Sequence, residues 1–139
     1  MKIVVFGASR GVGLHVVKQA LERGHLVTAF VRSPDAFEVK HANLRVCKGD
    51  SMHETTAENA IAGQEAVISA LGPTRPPVAH MMETSAKNIV TGMTKHGVRR
   101  LISTSGAGVR QPEDQPQWID HLMSFLLNLL AKGGCDGLR

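Results

Sequence analysis

Three glycines early in the sequence have a spacing that suits phosphate binding. Gly7, Gly11 and Gly13 follow an apolar run, KIVVF, and precede a segment with helical spacing. Glycine permits the tight turn, lets backbone approach a pyrophosphate, and lets helix and strand pack closely. The N–H groups at the start of the helix favour a negative charge. We expect dinucleotide binding here, with a mobile surface loop as the alternative. The turn comprises Gly7, Ala8, Ser9, Arg10, Gly11, Val12 and Gly13.

Two arginines stand where the 2′-phosphate of a nucleotide is expected. Arg10 is inside the glycine turn, and Arg32 follows the second apolar run. A site that prefers NAD carries an acidic residue about 20 residues past the glycines, close to the position of Arg32. A guanidinium donates forked, charge-assisted hydrogen bonds to phosphate. The pair favours NADP(H) over NAD(H), and the alternative is that both are ordinary solvated charges.

Further candidate groups follow the later apolar runs. Asp50 can accept from an adenine amino group or cap the helix that comes next. The turn after the fourth run is expected beneath the cofactor ribose and nicotinamide, where the strand order reverses. Hydroxyls after the fifth run are placed to contact substrate or nicotinamide, unless that loop serves turn chemistry alone. These candidates are Asp50, Ser51, Ala70, Leu71, Gly72 and Ser105.

The elements that position these groups alternate between strand and helix. Apolar runs of strand length are separated by segments in which apolar residues recur at helical spacing. The alternation predicts an α/β, Rossmann-type, doubly wound parallel sheet of order 3-2-1-4-5 with helices on both faces. The predicted strands are 2–6, 26–31, 44–48, 65–70 and 100–104, and the predicted helices are 14–23, 36–39, 54–62 and 80–96. The apolar face of the last helix is predicted to hold Met82, Ala86, Ile89, Val90 and Met93.

Composition excludes several classes of protein. The chain has 139 residues, 42% of them hydrophobic and 20% charged, which fits one globular domain. The net charge is +4, but aromatic residues are only 4% and no basic run exceeds Arg99-Arg100, so we assign the basic character to small-ligand phosphates and not to nucleic acid. Neither the cysteines nor the histidines have metal-ligand spacing. We expect a reducing, cytoplasmic setting, no metal and no membrane segment.

A helix at 118–132 is expected near the end of the sequence, and it is apolar nearly all round. A helix of this kind must be buried, yet no further strand follows to cover it. Subunit contact in a homo-oligomer and a missing C-terminal segment are both open explanations.

Taken together, these motifs resemble the atypical short-chain dehydrogenase/reductase proteins, which bind NAD(P) and include biliverdin reductase B- or flavin reductase-like and NmrA-like members. The resemblance extends over nearly the whole chain. It rests on GASRGVG at 7–13, VRSP at 31–34, GD at 49–50, SALG at 69–72 and GVRRLISTS at 97–105. It implies a single NAD(P)-binding domain over residues 1–139 that prefers NADP(H).

Two departures from that family bear on function. Classical members use a Tyr-x-x-x-Lys pair, and this chain has no tyrosine, so Ser105 is the one catalytic candidate, with Gly106 as the alternative register. Family members also continue with a sixth strand and a substrate-facing segment, so the chain resembles a truncated member. The resemblance implies an NADPH-dependent reductase acting on a small conjugated acceptor such as a flavin, quinone or tetrapyrrole. A non-enzymatic NADP(H)-binding sensor or scaffold is the alternative.

Overall fold

Five parallel strands form one sheet in the computed structural model, which describes residues 1–74 and 76–104. The sheet order is β3-β2-β1-β4-β5, which confirms the predicted doubly wound α/β fold. The strands are β1 Lys2–Phe6, β2 Leu26–Val31, β3 Leu44–Lys48, β4 Ala66–Ser69 and β5 Arg100–Ser103. The helices are α1 Gly11–Glu22, α2 Glu54–Ile61 and α3 Met81–Lys95, with a short 3₁₀ helix at Pro34–Ala36.

The central strand β1 is covered on both faces. Its register pairs Ile3 with Val27 of β2 and with Ala66 of β4. Alternate side chains point to opposite faces of a strand, and parallel sheets of this type are buried on both. Ile3 and Val5 belong to one core cluster, beside Val17 of α1. A second core cluster packs on the other face; its members include Val4, Phe6, Phe30, Ile61 and Ile89.

Two helices differ from the sequence prediction by more than one residue at a boundary. Helix α1 begins at Gly11 and not at residue 14, so two glycines of the turn lie inside its first helical turn. The short helix expected at 36–39 is a 3₁₀ helix at Pro34–Ala36, where proline suits the first turn because its φ is already helical. The helix predicted at 118–132 lies outside the described residues.

The apolar face predicted for α3 is partly wrong. Ile89 and Met93 are buried as expected, but Met82, Ala86 and Val90 are exposed. The helix instead buries Ser85 and Asn88, because both side chains find hydrogen-bond partners across the interface. The buried face is therefore rotated toward polar residues that an apolar periodicity does not detect.

An ion-pair cluster joins α2 to α3 on the side of Glu58. The Glu58 carboxylate lies 2.7 Å from Lys95 Nζ and 3.4 Å from His96 Nε2. The hydrogen bond from Lys95 lowers the pKa of Glu58 below its ordinary value, with His96 adding to the effect. Among the described residues, no helix is long and apolar enough to cross a membrane, and no group of three His, Cys, Asp or Glu side chains could hold a metal ion.

Candidate functional site

A cavity of about 490 Å³ lies at the carboxyl ends of the strands. All five strands contribute to its wall at or just after their last residues, and the cavity straddles β1 and β4, where the strand order reverses. Open α/β sheets bind their ligands at this point. The residues predicted from sequence that line it are Gly7, Ser9, Arg10, Gly11, Val12, Arg32, Asp50, Ser51, Ala70, Leu71 and Gly72.

Three predicted site residues do not line the cavity or lie outside the described residues. Ala8 is fully buried in the core beneath the turn. Gly13 is buried behind the turn and does not line the cavity. Ser105 lies outside the described residues.

Each glycine of the turn has its own structural reason. Gly7 has a φ of +76°, and a Cβ there would lie 2.6 Å from the carbonyl oxygen of Ala70. At Gly13 a Cβ would lie only 2.0 Å from the carbonyl oxygen of Gly7. Gly11 has a φ of +54° and open space around it. The turn therefore sits directly against both β4 and the start of α1, and side chains at Gly7 or Gly13 would separate them.

The first turn of α1 faces the cavity without a competing acidic group. Its N-cap is Arg10, in extended conformation, with no side-chain cap hydrogen bond and no acidic residue in the first turn. The N–H groups of a first helical turn have no acceptor within the helix, and the helix dipole makes this end positive. An anion bound beside Gly11 and Val12 would satisfy both features.

Charge is unevenly distributed around the cavity. Arg10, Arg32 and Asp50 all come from the loops that follow β1, β2 and β3. The described wall residues from the β4 loop onward carry no charge and include Leu71, Val78, Met81 and Thr104. Among the described residues, the cavity thus has a charged end beside β2 and β3 and an uncharged end beside β4 and β5, which we call the neutral end.

Asp50 organises its own loop and does not cap α2. Its Oδ1 accepts from the N–H of Met52 at 2.9 Å, while the N-cap of α2 is His53, which makes no side-chain cap bond. The hydroxyl of Thr56 donates to the Asp50 carbonyl oxygen at 2.7 Å. The half-buried carboxylate is therefore held within a closed turn at the edge of the cavity.

Several wall residues were missed by sequence reasoning. Phe30, Gly49 and Thr104 stand at or just after strand ends, so the strand boundaries could have indicated them. Val78 lies in the loop before α3 and Met81 is the first residue of α3, and nothing in their spacing marks them as wall residues. The hydroxyl of Thr74 in the neutral end is buried and has no hydrogen-bond partner within the described part of the chain; this was not foreseen either.

Comparison with known proteins agrees with this geometry. A family model described as NAD(P)H-binding matches residues 7–132. An uncharacterized protein, YwnB of Bacillus subtilis, is 33% identical over 108 residues, covering 78% of this chain and 48% of its own. Cinnamoyl-CoA reductase 1 of Petunia hybrida is 29% identical, with 85% of this chain and 41% of its own covered.

Solved structures show the same fold. ChuY, an anaerobillin reductase from Escherichia coli O157:H7, superposes with a TM-score of 0.69 at 19% identity, covering 91% of this chain and 61% of that one. The chain spans less than half the length of the two curated relatives above. Because the family model extends over most of the sequence, and the Rossmann-type fold and the cavity agree with it, the protein belongs to the NAD(P)H-binding family.

Proposed function

We propose that the protein is an NADPH-dependent reductase that transfers hydride to a small conjugated acceptor such as a flavin, a quinone or a tetrapyrrole. The observation that carries the proposal is the division of the described cavity wall into a charged end with two arginines and an uncharged, largely apolar end. The names of ChuY and of cinnamoyl-CoA reductase 1 describe reductases, which supports the reaction class.

The residues of the cavity fit a phosphorylated dinucleotide. Arg10 and Arg32 would hold the 2′-phosphate, because two guanidinium groups match one dianion. The glycine turn and the first turn of α1 would hold the pyrophosphate. Asp50 would accept from the adenine amino group. The unpartnered hydroxyl of Thr74 supplies a polar group at the neutral end, where the nicotinamide would lie.

When bound, NADPH supplies a hydride, that is, two electrons and one hydrogen nucleus. The protein would orient the nicotinamide and the acceptor and exclude water from between them. Leu71, Val78 and Met81 provide an apolar wall for this at the neutral end. The acceptor would gain the hydride and one proton; the sequence has no tyrosine to donate this proton as in classical members, and the proposal takes it from solvent or from an acidic group of the acceptor. Ser105 stays the candidate hydroxyl for the acceptor side.

A non-enzymatic NADP(H)-binding sensor is the second candidate. The observation that favours it is the absence of tyrosine, which removes the usual proton donor of the classical enzymes. Under either candidate we keep the expectations of a cytoplasmic setting and of self-association through residues 118–132.

The first experiment separates these two functions. We expect NADPH to raise the Tm of the protein, because a ligand that binds only the folded state stabilises it by RT ln(1 + [L]/Kd). NADPH oxidation is then followed with a panel of flavins, quinones and linear tetrapyrroles. Turnover with one of them supports the reductase, whereas tight binding without turnover across the panel supports the sensor. No binding of any nicotinamide nucleotide would end both proposals.

The second experiment tests the cofactor preference. Arg32→Asp is expected to weaken NADPH binding about tenfold or more, since one charge-assisted contact is worth roughly 1.5–3 kcal/mol before solvent screening and 1.4 kcal/mol is a factor of ten. The new carboxylate repels the phosphate and accepts from a free 2′-hydroxyl, so NADH affinity should hold or improve. Arg10→Ala is expected to lower the affinity for NADPH and to leave the affinity for NADH unchanged.

Arg45→Ala is the matched control, because Arg45 is exposed and is not among the cavity residues. An unchanged ratio of NADPH to NADH affinity in both Arg10→Ala and Arg32→Asp would remove the assignment of NADP(H).

A further inference from the structure

We propose that Ser85 and Asn88 of α3 are positioning residues for the loop at 49–52, and that they thereby give the site its selectivity for an adenine base. We call residues 49–52 the base loop. The inference rests on the proposed function, because that function assigns Asp50 of this loop to the adenine amino group.

Two side chains of α3 hold one residue of the base loop. Asn88 Nδ2 donates to the carbonyl oxygen of Ser51 at 2.9 Å, and the Ser85 and Ser51 hydroxyl oxygens are 2.8 Å apart. Ser85 is 0% exposed and Asn88 is 7% exposed. The helix therefore fixes both the backbone and the side chain of Ser51, in surroundings from which water is nearly excluded.

The rest of the base loop is tied to its neighbours in a similar way. The N–H of Gly49 donates to the carbonyl oxygen of Val31 at 3.0 Å, next to Arg32. Within the loop, Asp50 Oδ1 accepts from the N–H of Met52. The contacts of α3 with Ser51 add to these bonds, so several hydrogen bonds together restrict the conformation of residues 49–52. Holding a binding loop in its bound conformation in advance reduces the cost of ordering it.

The Asp50 carboxylate determines what the base loop presents to a ligand. A carboxylate can only accept hydrogen bonds, and its Oδ1 already accepts from the N–H of Met52. The Ser51 and Ser85 hydroxyl oxygens are 2.8 Å apart and either can be the donor, while Ser85 Oγ also lies 3.7 Å from Met81 Sδ. Asp50 and Ser51 both line the cavity. A carboxylate acceptor suits the amino group of adenine and disfavours the carbonyl oxygen that hypoxanthine has in its place.

The test compares NADPH with its hypoxanthine analogue, in which that amino group is replaced by oxygen. Wild-type protein is expected to bind NADPH roughly tenfold more tightly than the analogue, because the analogue loses a donated hydrogen bond and sets one acceptor against another. Asn88→Leu and, separately, Ser85→Ala are expected to reduce this ratio about two- to tenfold. Ser85→Ala removes only one hydroxyl group, so it can still test the proposal if the Asn88→Leu protein does not fold.

The control is Ile89→Val, one residue further along the same helix. Ile89 is buried in the core, and its side chain has no group that could form a hydrogen bond to the base loop. Removing one methylene by Ile89→Val should therefore lower Tm without changing the ratio of the two affinities. Dissociation constants are measured by nucleotide fluorescence at a temperature where circular dichroism shows each variant folded.

Each outcome has one meaning. A reduced ratio in the Asn88 or Ser85 variants, with Ile89→Val unchanged, supports the positioning role. Lower Tm with both affinities unchanged means that the network is structural only, and an equal loss for both nucleotides overturns the selectivity for the base. If wild-type protein binds neither nucleotide, the proposed function fails instead, which is a separate result.

Discussion

Replacing Gly13 by alanine should damage both stability and nucleotide binding. The added Cβ would lie 2.0 Å from the carbonyl oxygen of Gly7, whereas ordinary contacts begin near 3.4 Å. The start of α1 and the glycine turn would therefore have to separate by more than 1 Å. Alanine is the better helix former by about 0.8–1.0 kcal/mol, but overpacking costs typically 1–3 kcal/mol and more where backbone must move. We expect a net loss of about 1–2 kcal/mol.

The same displacement moves the first N–H groups of α1 away from the glycine turn, which together with them forms the proposed phosphate site. A 1 Å displacement of these donors should lengthen the hydrogen bonds they make to the pyrophosphate, so NADPH affinity should fall about tenfold or more. Urea unfolding followed by circular dichroism gives the stability, and fluorescence titration gives the affinity at a temperature where the variant is folded.

Gly72→Ala is the control for Gly13→Ala. A Cβ at Gly72 meets nothing within 4 Å, so its stability should stay within about 0.5 kcal/mol of wild type. Because Gly72 lines the cavity, its methyl group can still weaken nucleotide binding without a loss of stability. A Gly13→Ala protein with wild-type stability and wild-type affinity would refute the steric reasoning.

Two further predictions concern stability alone. Glu58→Gln should destabilise the protein at neutral pH, and the difference from wild type should vanish on acidification: the lowered pKa means that the stabilisation is fully present above the ordinary value of 4.5 and is lost as pH falls through the folded pKa. Urea unfolding at pH 7 and pH 3 checks this, and a difference independent of pH would contradict it. His80→Gly should stabilise by about 0.5–1 kcal/mol, because His80 has a left-handed φ of +55° whose strain exceeds the entropic cost of glycine. A lower urea midpoint for His80→Gly would show that its contact with Glu83 outweighs that strain.

The strands and their order were predictable because both follow from local sequence patterns. The apolar runs at β1 and β2 have the predicted limits, and short parallel strands separated by helices leave few topologies open. The position of the cavity follows from the same reasoning, since parallel strands all end at one edge. Arg10, Arg32 and Asp50 therefore come together there although they are far apart in sequence.

The buried face of α3 was not predictable, because it depends on a partner elsewhere in the chain. Ser85 and Asn88 are polar, and an apolar periodicity assigns polar residues to solvent. Both form hydrogen bonds with Ser51, which precedes them by more than thirty residues and lies beside them only in the folded chain. The early start of α1 has a related cause: Gly11 and Gly13 are poor helix formers, and the helix extends through them because Gly13 packs against Gly7.

The pairing of β1 with β4 also determines when the cavity can form during synthesis. Ile3 pairs with Ala66, and Gly7 packs against Ala70, so β1 is not enclosed until β4, which follows it by some sixty residues, has been synthesised. Until then Val4 and Phe6, both fully buried in the finished sheet, are open to chaperones and to aggregation. The same contact joins Gly7 and Ala70 of the cavity wall, and the later residues up to Thr104 complete that wall. A nucleotide present at about 100 times its Kd would add about 2.7 kcal/mol to the stability of newly made chains whose cavity is complete, and nothing to the others.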